Sequence, residues 1–284
     1  MPIVIENLTH IYGENTPYET KAVDGVSLNI EDGEFVGLIG HTGSGKSTLI
    51  QHLNGLLKPT SGRVSVNGSD TTNKAGLKEL RRQVGLVFQY PEYQLFDETV
   101  EKDVYFGPKN LGVPASELPQ RAKEAMELVE LDYESIKDKS PFELSGGQKR
   151  LAAIAGVVAM RPDIIVLDEP VAGLDPKGRR TILRLIDKLH RSGHTIIMVS
   201  HNMEDLARLC TRLIVMDSGG IAMDGKPEDV FSDIEGLRAI GLDAPQAAVV
   251  AAQLRAKGYD VPMFYMAEDL GEWIIRRIRG ESGV

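Results

Sequence analysis

Short runs of aliphatic and β-branched residues alternate along the chain with longer stretches whose apolar positions recur at helical spacing. That alternation is the sequence form of an α/β domain built on a largely parallel sheet. Five runs read as buried strands: Phe35 to Ile39, Val84 to Phe88, Ile164 to Leu167, Ile196 to Ser200 and Leu213 to Met216. The N-terminal region is punctuated differently. Ile3 to Leu8, Val26 to Ile30 and Arg63 to Val66 are separated by turn signals such as Pro59-Thr60-Ser61-Gly62 and Asn67-Gly68, which predicts an antiparallel β layer beside the parallel one. From about residue 92 to residue 160 strand signals vanish. There Leu118, Ala122, Ala125, Leu128 and Val129 keep a helical period, so an inserted helical subdomain is expected. After Phe231 the pattern changes again, to two expected helices, Pro245 to Lys257 and about Ala267 to Ile278, split by Gly258 to Pro262. The expected layout is a main domain over residues 1–232 and a helical appendix over residues 233–284.

Composition narrows the picture. The 284 residues are 42% hydrophobic and 26% charged, enough to build a sizeable core, and intrinsic disorder is excluded. With 41 acidic against 32 basic side chains the formal charge is -9, a poor match to a general nucleic-acid binder, and no nucleic-acid partner is expected. The single cysteine, Cys210, cannot form an intrachain disulfide; it fits a reducing cytosol and, in "LARLCTRL", reads as core. Met1 to Glu6 shows no basic region followed by an apolar stretch, so no signal peptide is expected. The longest apolar runs, such as Ile164 to Leu167 and Ile196 to Val199, fall far short of the roughly 20 residues that span a bilayer, so any membrane role is expected to be peripheral.

Candidate chemistry begins after the first parallel strand. Gly40-His41-Thr42-Gly43-Ser44-Gly45-Lys46-Ser47 matches G-x-x-x-x-G-K-[ST], entered from an apolar strand and left through an amphipathic helix with Leu49, Ile50, Leu53 and Leu56, and Gly40 to Thr48 are the expected nucleotide-binding residues. Glycines let such a loop curl its N–H groups onto phosphate oxygens. Lys46 would reach the β and γ phosphates, and the Ser47 hydroxyl would bind magnesium. A second element, Ile164-Ile165-Val166-Leu167-Asp168-Glu169, is a buried strand ending in two acids, which would face the ligand crevice of an open α/β sheet. Asp168 suits a magnesium ion, directly or through water, and Glu169 suits an attacking water.

What kind of P-loop protein this is turns on Leu144-Ser145-Gly146-Gly147-Gln148. Two glycines ahead of a helix make a second anion-binding N-terminus. The pentapeptide resembles the signature of ATP-binding-cassette ATPases, and other cassette motifs follow in order over about residues 1 to 230. By that resemblance Tyr12 is the aromatic that stacks on adenine, Gln89 the Q-loop glutamine that shares the magnesium with Ser47, Gly173-Leu174-Asp175 the D-loop and His201 the switch histidine. The resemblance implies a P-loop NTPase core, ATP and Mg2+ as cofactors, and a second cassette chain, identical or homologous. Each nucleotide would lie between the P-loop of one chain and Ser145, Gly146, Gly147 and Gln148 of the other. Hydrolysis would then use Lys46 and Gln89 at the phosphates, Glu169 as general base and His201 at the γ phosphate.

The segment Gln89 to Gly112 mixes aromatics (Tyr90, Tyr93, Phe96, Tyr105, Phe106) with acids (Glu92, Asp97, Glu98, Glu101, Asp103), an expected acidic, aromatic groove for a partner helix bearing arginines. With Pro91, Gln94-Leu95-Phe96, Phe106-Gly107-Pro108, Thr16 to Glu19 and the tail "APQAAVVAAQLRAKGYDVP", the chain resembles the ATPases of energy-coupling factor transporters, importers of vitamins and some transition-metal ions, and more the second of their two paired types. That resemblance implies a homologous partner ATPase, a membrane scaffold protein, a substrate-capture membrane protein, a tail that helps hold the two ATPases together, and residence on the cytoplasmic face of the cell membrane. Alternatives are an ATPase of another cassette transporter, a non-transport cassette ATPase, which would need long heptads or two cassettes in one chain, and a small-molecule kinase, which would have no use for Leu144 to Gln148.

Overall fold

A computed structural model describes residues 3–279. Met1 and Pro2, part of the N-terminal reading, lie outside the described residues. A four-stranded sheet of order β2-β1-β4-β5 carries β1 (Ile3–Tyr12), β2 (Thr20–Ile30), β4 (Ser61–Val66) and β5 (Ser69–Asp70), all paired antiparallel. A six-stranded sheet of order β10-β9-β3-β8-β7-β6 carries β3 (Phe35–Ile39), β6 (Val84–Val87), β7 (Ile164–Asp168), β8 (Thr195–Val199), β9 (Arg212–Asp217) and β10 (Gly220–Gly225). Its first five members in sequence are mutually parallel, and β10 closes one edge antiparallel.

Both faces of the parallel sheet are buried, which is why its strands read as unbroken apolar runs. Phe35, Ile39, Ile165, Leu167, Ile196, Met198, Leu213 and Val215 point into one core. Their neighbours Val36, Leu38, Ile164, Val166, Ile197, Val199, Ile214 and Met216 point into the other. This second core is closed by the antiparallel sheet through Ile3, Ile5, Val64 and Val66, with Leu49, Ile50 and Leu53 of α1 (Lys46–Leu53) between the two layers. The helix that leaves the P-loop is thereby clamped from both sides. α2 (Leu77–Gln83) adds Leu80 to the same core.

The predicted helical subdomain comprises α3 (Val100–Asn110), α4 (Leu118–Leu128), α5 (Tyr133–Ile136) and α6 (Gly146–Val158), with no strand between β6 and β7. α3 was not evident from the sequence, because Pro108 lies inside it and its buried residues are only Val100, Asp103, Val104 and Pro108. α7 (Pro176–Arg191) follows β7. Asp175 caps it by accepting from the Gly178 N–H at 2.9 Å, and Ile182, Leu185, Ile186 and Leu189 bury one stripe against the sheet. Each such side chain contributes about 1.5–3 kcal/mol of burial free energy. α8 (Met203–Leu209) starts at an Asn202 cap.

β1 and β2 run on to Tyr12 and back to Thr20, beyond the predicted bounds, since Tyr12↔Thr20 and Ile11↔Lys21 continue the ladder through exposed residues. After β10 come α9 (Pro227–Ser232), α10 (Ile234–Ala239), α11 (Gln246–Ala256) and α12 (Ala267–Ile278). Leu237, Ala244 and Ala248 share the main core with Phe231, whereas Ala247, Ala251, Val261 and Leu270 form a small core of their own. Among the described residues no helix is long and apolar enough to cross a membrane.

Gly37, in the middle of β3, faces Leu206 of α8 and the Cys210 that ends it. A Cβ there would lie 2.6 Å from Leu213 Cδ2 and 2.9 Å from both Cys210 Sγ and Leu206 Cδ2. Gly37→Ala is therefore expected to overpack this layer and to lower stability by about 1–3 kcal/mol, read as a lower urea midpoint at unchanged slope.

Candidate functional site

Five neighbouring strands of the large sheet end at one edge, and each ending carries a polar group. In spatial order these are Asp217 at the end of β9, the P-loop after β3, His201 after β8, Asp168 and Glu169 at the end of β7, and Gln89 after β6. The carboxyl edge of an open α/β sheet is where such folds bind ligands. Residues far apart in sequence thus meet because the strand order, not the chain order, sets their neighbours.

The loop's shape follows from two glycines. Gly45 has φ +101°, and a Cβ there would run into the Ala22 carbonyl oxygen. Gly43 has φ +86° and open space beside it, as a phosphate-cradling turn requires. Lys46 is only 7% exposed, and its Nζ donates to the carbonyl oxygens of Gly40 at 2.7 Å and His41 at 2.9 Å. Burial pushes its pKa down, opposed by the charges of Glu169 and Asp168. Ser44 and Thr48 are buried beneath the loop, and His41 Nε2 lies 2.9 Å from Asp217 Oδ1, a partner no sequence motif announced.

Ser47 Oγ donates to Asp168 Oδ2 at 3.2 Å, so two oxygens the sequence assigned to magnesium are already side by side. Burial raises the Asp168 pKa, countered by the Ser47 hydrogen bond and the Lys46 charge. Glu169 adopts a left-handed backbone, φ +49°, with its N–H bonded to the Val199 carbonyl at 3.0 Å. A non-glycine residue persists there only where the surroundings dictate it. Its Oε1 is buried and has no hydrogen-bond partner; His201 Nε2 lies 3.3 Å away without hydrogen-bond alignment. Burial first, and the Asp168 charge second, push the Glu169 pKa up from 4.5 to about 7. The His201 pKa is lowered, by partial burial and then by Lys46, so the imidazole is neutral near pH 7.

Gln89 is exposed just beyond β6 and makes no hydrogen bond to Ser47 or Asp168 among the described residues. Tyr12 stands at the end of β1 with its ring 42% exposed, edge-on to His10 at 4.5 Å and with its hydroxyl 3.3 Å from Thr48 Oγ1. That leaves an open aromatic face beside the helix of the P-loop.

Ser145 caps α6. Its hydroxyl accepts from the Gln148 N–H at 3.4 Å while its own N–H donates to Gln148 Oε1 at 3.0 Å, a capping box. Ser145 and Gly146 are exposed, and a Cβ on Gly146 or Gly147 would meet nothing within 4 Å. Neither glycine needs a positive φ. Among the described residues no hydrogen bond or ion pair joins Ser145 to Gln148 with the P-loop of the same chain.

The expected acidic groove is less acidic than the sequence reads. Glu92 is taken up by Arg150, Asp103 accepts from the Phe96 and Asp97 N–H groups at 3.1 Å each, and Glu101 bonds the Tyr133 hydroxyl. What remains is a cavity of about 400 Å³ lined by Phe96, Asp97, Glu98, Lys102, Tyr105, Phe106 and Lys109, in which Glu98 pairs with Lys102 at 2.5 Å. Phe96 stays 60% exposed, against Phe106 at 4.9 Å. Arg150 itself, buried at the centre of these contacts, was missed as a functional candidate, because a single inward charge on an amphipathic helix leaves no mark in its periodicity.

The sequence profile of the ABC transporter family matches residues 23–172, the stretch that holds the P-loop, Gln89, the Ser145 to Gln148 turn and both acids of β7. The chain belongs to the ABC transporter family. Among curated proteins it is 58% identical to the energy-coupling factor transporter ATP-binding protein EcfA2 of Clostridium tetani over 263 residues, 92% of this chain and 91% of that one. The protein of the same name from Clostridioides difficile is 55% identical over 286 residues, 99% of each chain. Among solved structures, cbiO1 of Clostridium perfringens, part of the ABC transporter complex cbiONQ, aligns with a TM-score of 0.73 at 36% identity, covering 89% of this chain and 98% of that one. The dimeric cassette MJ0796 with ADP and Pi aligns at 0.70 and 32% identity, over 79% and 98%. The chain is thus a transport ATPase of the energy-coupling factor branch, an ATP-binding cassette on a P-loop fold.

For Glu169 the raised pKa fixes a sign. Folding favours its protonated form, so this stabilisation is complete below about pH 4.5 and is lost as pH rises through about 7. Glu169→Gln in the nucleotide-free cassette is therefore expected to raise the melting temperature at pH 8 and to leave it nearly unchanged at pH 5. An equal gain at both pH values would contradict the burial argument.

Proposed function

We propose that this cassette powers the uptake of a vitamin or transition-metal ion by closing onto ATP together with a second cassette, bound peripherally to membrane subunits at the cytoplasmic face of the cell membrane. The observation that carries the reading is the amino end of α6. A serine cap and the glycine after it lie exposed, with a half-buried second glycine behind them; a Cβ on either glycine would meet nothing, and no hydrogen bond or ion pair among the described residues joins them to the P-loop. A helix N-terminus with open N–H groups and no side chain in front of it suits an anion brought from outside the chain. The phosphate held by one chain's Lys46 loop is the matching group, and reciprocal pairing gives two sites per dimer. That the similar cassette MJ0796 is dimeric with ADP and Pi bound supports pairing of two cassettes.

Within a site, Tyr12 offers its open face to the adenine, and the loop from Gly40 to Thr48 holds the phosphates. Lys46, now bonded to loop carbonyls, turns its ammonium to the γ phosphate. Ser47 and Asp168 fit a magnesium ion: they are hard oxygen donors side by side, and two half-buried carboxylates with raised pKa values would gain from a cation. Gln89, exposed at the next strand end, is free to join them. Magnesium, when bound, neutralises charge on the β and γ oxygens. Glu169 accepts the proton of the attacking water, and neutral His201 donates to the γ phosphate. A base titrating near 7 matches the operating pH, where proton transfer is most effective.

The aromatic cavity at Phe96 and Phe106 is the surface offered to a membrane scaffold subunit, and a substrate-capture membrane subunit completes the transporter. Asp97 and Glu98 give it modest acidity, so its recognition of a partner helix is chiefly apolar. The appendix over residues 233–284 adds a second contact between cassettes: Ile275 and Ile278 of α12 are 50% and 80% exposed beside a small apolar core. The partner cassette is a homologue in this reading.

Glu169→Gln is expected to retain ATP binding and to lose at least about 100-fold in steady-state hydrolysis, the worth of a general base. Normal turnover by that variant would remove Glu169 from the role. Replacing Ile275 and Ile278 together with Asp leaves the fold untouched, both being exposed, and is expected to abolish the nucleotide-free dimer in sedimentation velocity while ATP-driven pairing persists.

A further inference from the structure

A charged side chain is tolerated in a protein interior when its donors are all matched. Arg150, in the second turn of α6, is 1% exposed and heads the fully buried side chains by volume. Its guanidinium reaches into two segments remote from α6 in sequence. Nε and Nη2 donate to Glu92 Oε2 at 2.9 Å and Oε1 at 2.7 Å. Nη1 donates to the carbonyl oxygens of Pro170 at 3.1 Å and Ala172 at 2.7 Å. Its Cζ lies 5.8 Å from the centre of the Tyr90 ring. Tyr90 and Glu92 belong to the segment that runs from Gln89 into the aromatic groove. Pro170 to Ala172 is the turn that leaves Glu169, closed by the Ala172 N–H on the Glu169 carbonyl at 3.1 Å.

We propose that Arg150 is a positioning residue for ATP hydrolysis, fixing the turn behind Glu169 and tying it through Glu92 to the segment that receives the membrane partner. The inference rests on the reading of Glu169 as general base and goes beyond it by naming what holds that base in place. Glu169 keeps a left-handed backbone, which survives only when neighbouring structure dictates it. Among the described residues Arg150 alone supplies side-chain donors to the carbonyls that follow it. One planar fork satisfies a carboxylate bidentately and two carbonyls at once, which a lysine ammonium cannot do in the same geometry. The same guanidinium is anchored in the helix whose N-terminus is Ser145. A shift of Glu92 by a docked partner is therefore felt both at the turn carrying this chain's base and at the helix end offered to the neighbouring site.

The test separates positioning from mere adhesion between helix and sheet. Arg150→Lys keeps the charge and removes the fork. Arg150→Met combined with Glu92→Leu removes both charges, so that no unpaired buried ion destabilises the variant. Both are made in the full-length chain within its cassette dimer. The expected result is folded protein with a melting temperature near that of the parent, a KM for ATP and an affinity for ATPγS within twofold of the parent, and a kcat at least tenfold lower. Glu92→Gln should lower kcat in the same way, and adding Arg150→Lys to it should lower kcat no further, as expected for one linkage. Folded variants with kcat within twofold of the parent would overturn the proposal. So would a parallel fall of nucleotide affinity and melting temperature in both variants, which is the mark of lost packing. If Glu169→Gln is inactive while Arg150→Lys turns over normally, the base assignment stands and the Arg150 inference fails; normal turnover by Glu169→Gln sinks the base assignment itself.

Discussion

The cassette is organised around one electrostatic constraint. A single buried ammonium, Lys46, faces two adjacent carboxylates, Asp168 and Glu169, at an edge where burial disfavours the charge on all three. Burial lowers the pKa of the cation and raises those of the acids; the attraction between Lys46 and the acids, with the Ser47 hydrogen bond on Asp168, works the other way. Such a cluster is poorly satisfied by itself: Glu169 Oε1 has no hydrogen-bond partner, and Lys46 makes do with the carbonyls of its own loop. In the proposed function a triphosphate with its cation would supply what is missing, anionic oxygens for Lys46 and positive charge for the acids. Ligand binding is written into the site as relief of a desolvated charge arrangement, and the surrounding sheet exists to hold that arrangement in place.

That sheet explains why the site was largely legible in the sequence. Parallel strands buried on both faces must be apolar throughout, so β3, β6, β7, β8 and β9 stand out as aliphatic runs, and whatever polar residue ends each run lies at the ligand edge. Asp168, Glu169 and His201 could be located by that rule together with the P-loop spacing. Asp217 obeys the same rule at the end of β9, yet it belongs to no motif, and its contact with His41 depends on a strand order the sequence does not display. β10 escaped because none of its six residues is buried, as befits an edge strand, so no aliphatic run marks it.

The inserted helices were harder for a different reason. Sequence reading treats an acid as a surface charge, which holds where nothing nearby competes for it. Between Glu92 and Asp103 that assumption breaks down: Glu92 meets a buried guanidinium, Asp103 caps the chain entering α3, and Glu101 accepts from a tyrosine. Three charges are spent inside the protein, and the face left to a partner is mainly aromatic. Helix periodicity cannot reveal such pairings, because both members sit at positions that satisfy the amphipathic pattern either way. The same blindness hid Arg150, an inward charge on a helix whose other buried positions are alanine, isoleucine and valine.

α6 shows how one rigid element can serve two sites. Its amino end carries only a serine cap and two glycines, as an anion site for another molecule would, while the arginine one turn further in is sealed against the turn that follows Glu169, the proposed base. Helices of this length do not bend between adjacent turns without a break in their hydrogen bonds, and none interrupts residues 146 to 158. Displacement at one end must therefore appear at the other. The aromatic segment around Tyr90 and Glu92 leans on the same arginine, so the surface offered to the membrane subunits, the turn behind Glu169 and the helix end offered to the neighbouring nucleotide are three loads on one side chain. Communication between transporter and nucleotide then requires no long relay across the domain, only that this buried guanidinium keep its present partners or lose them together.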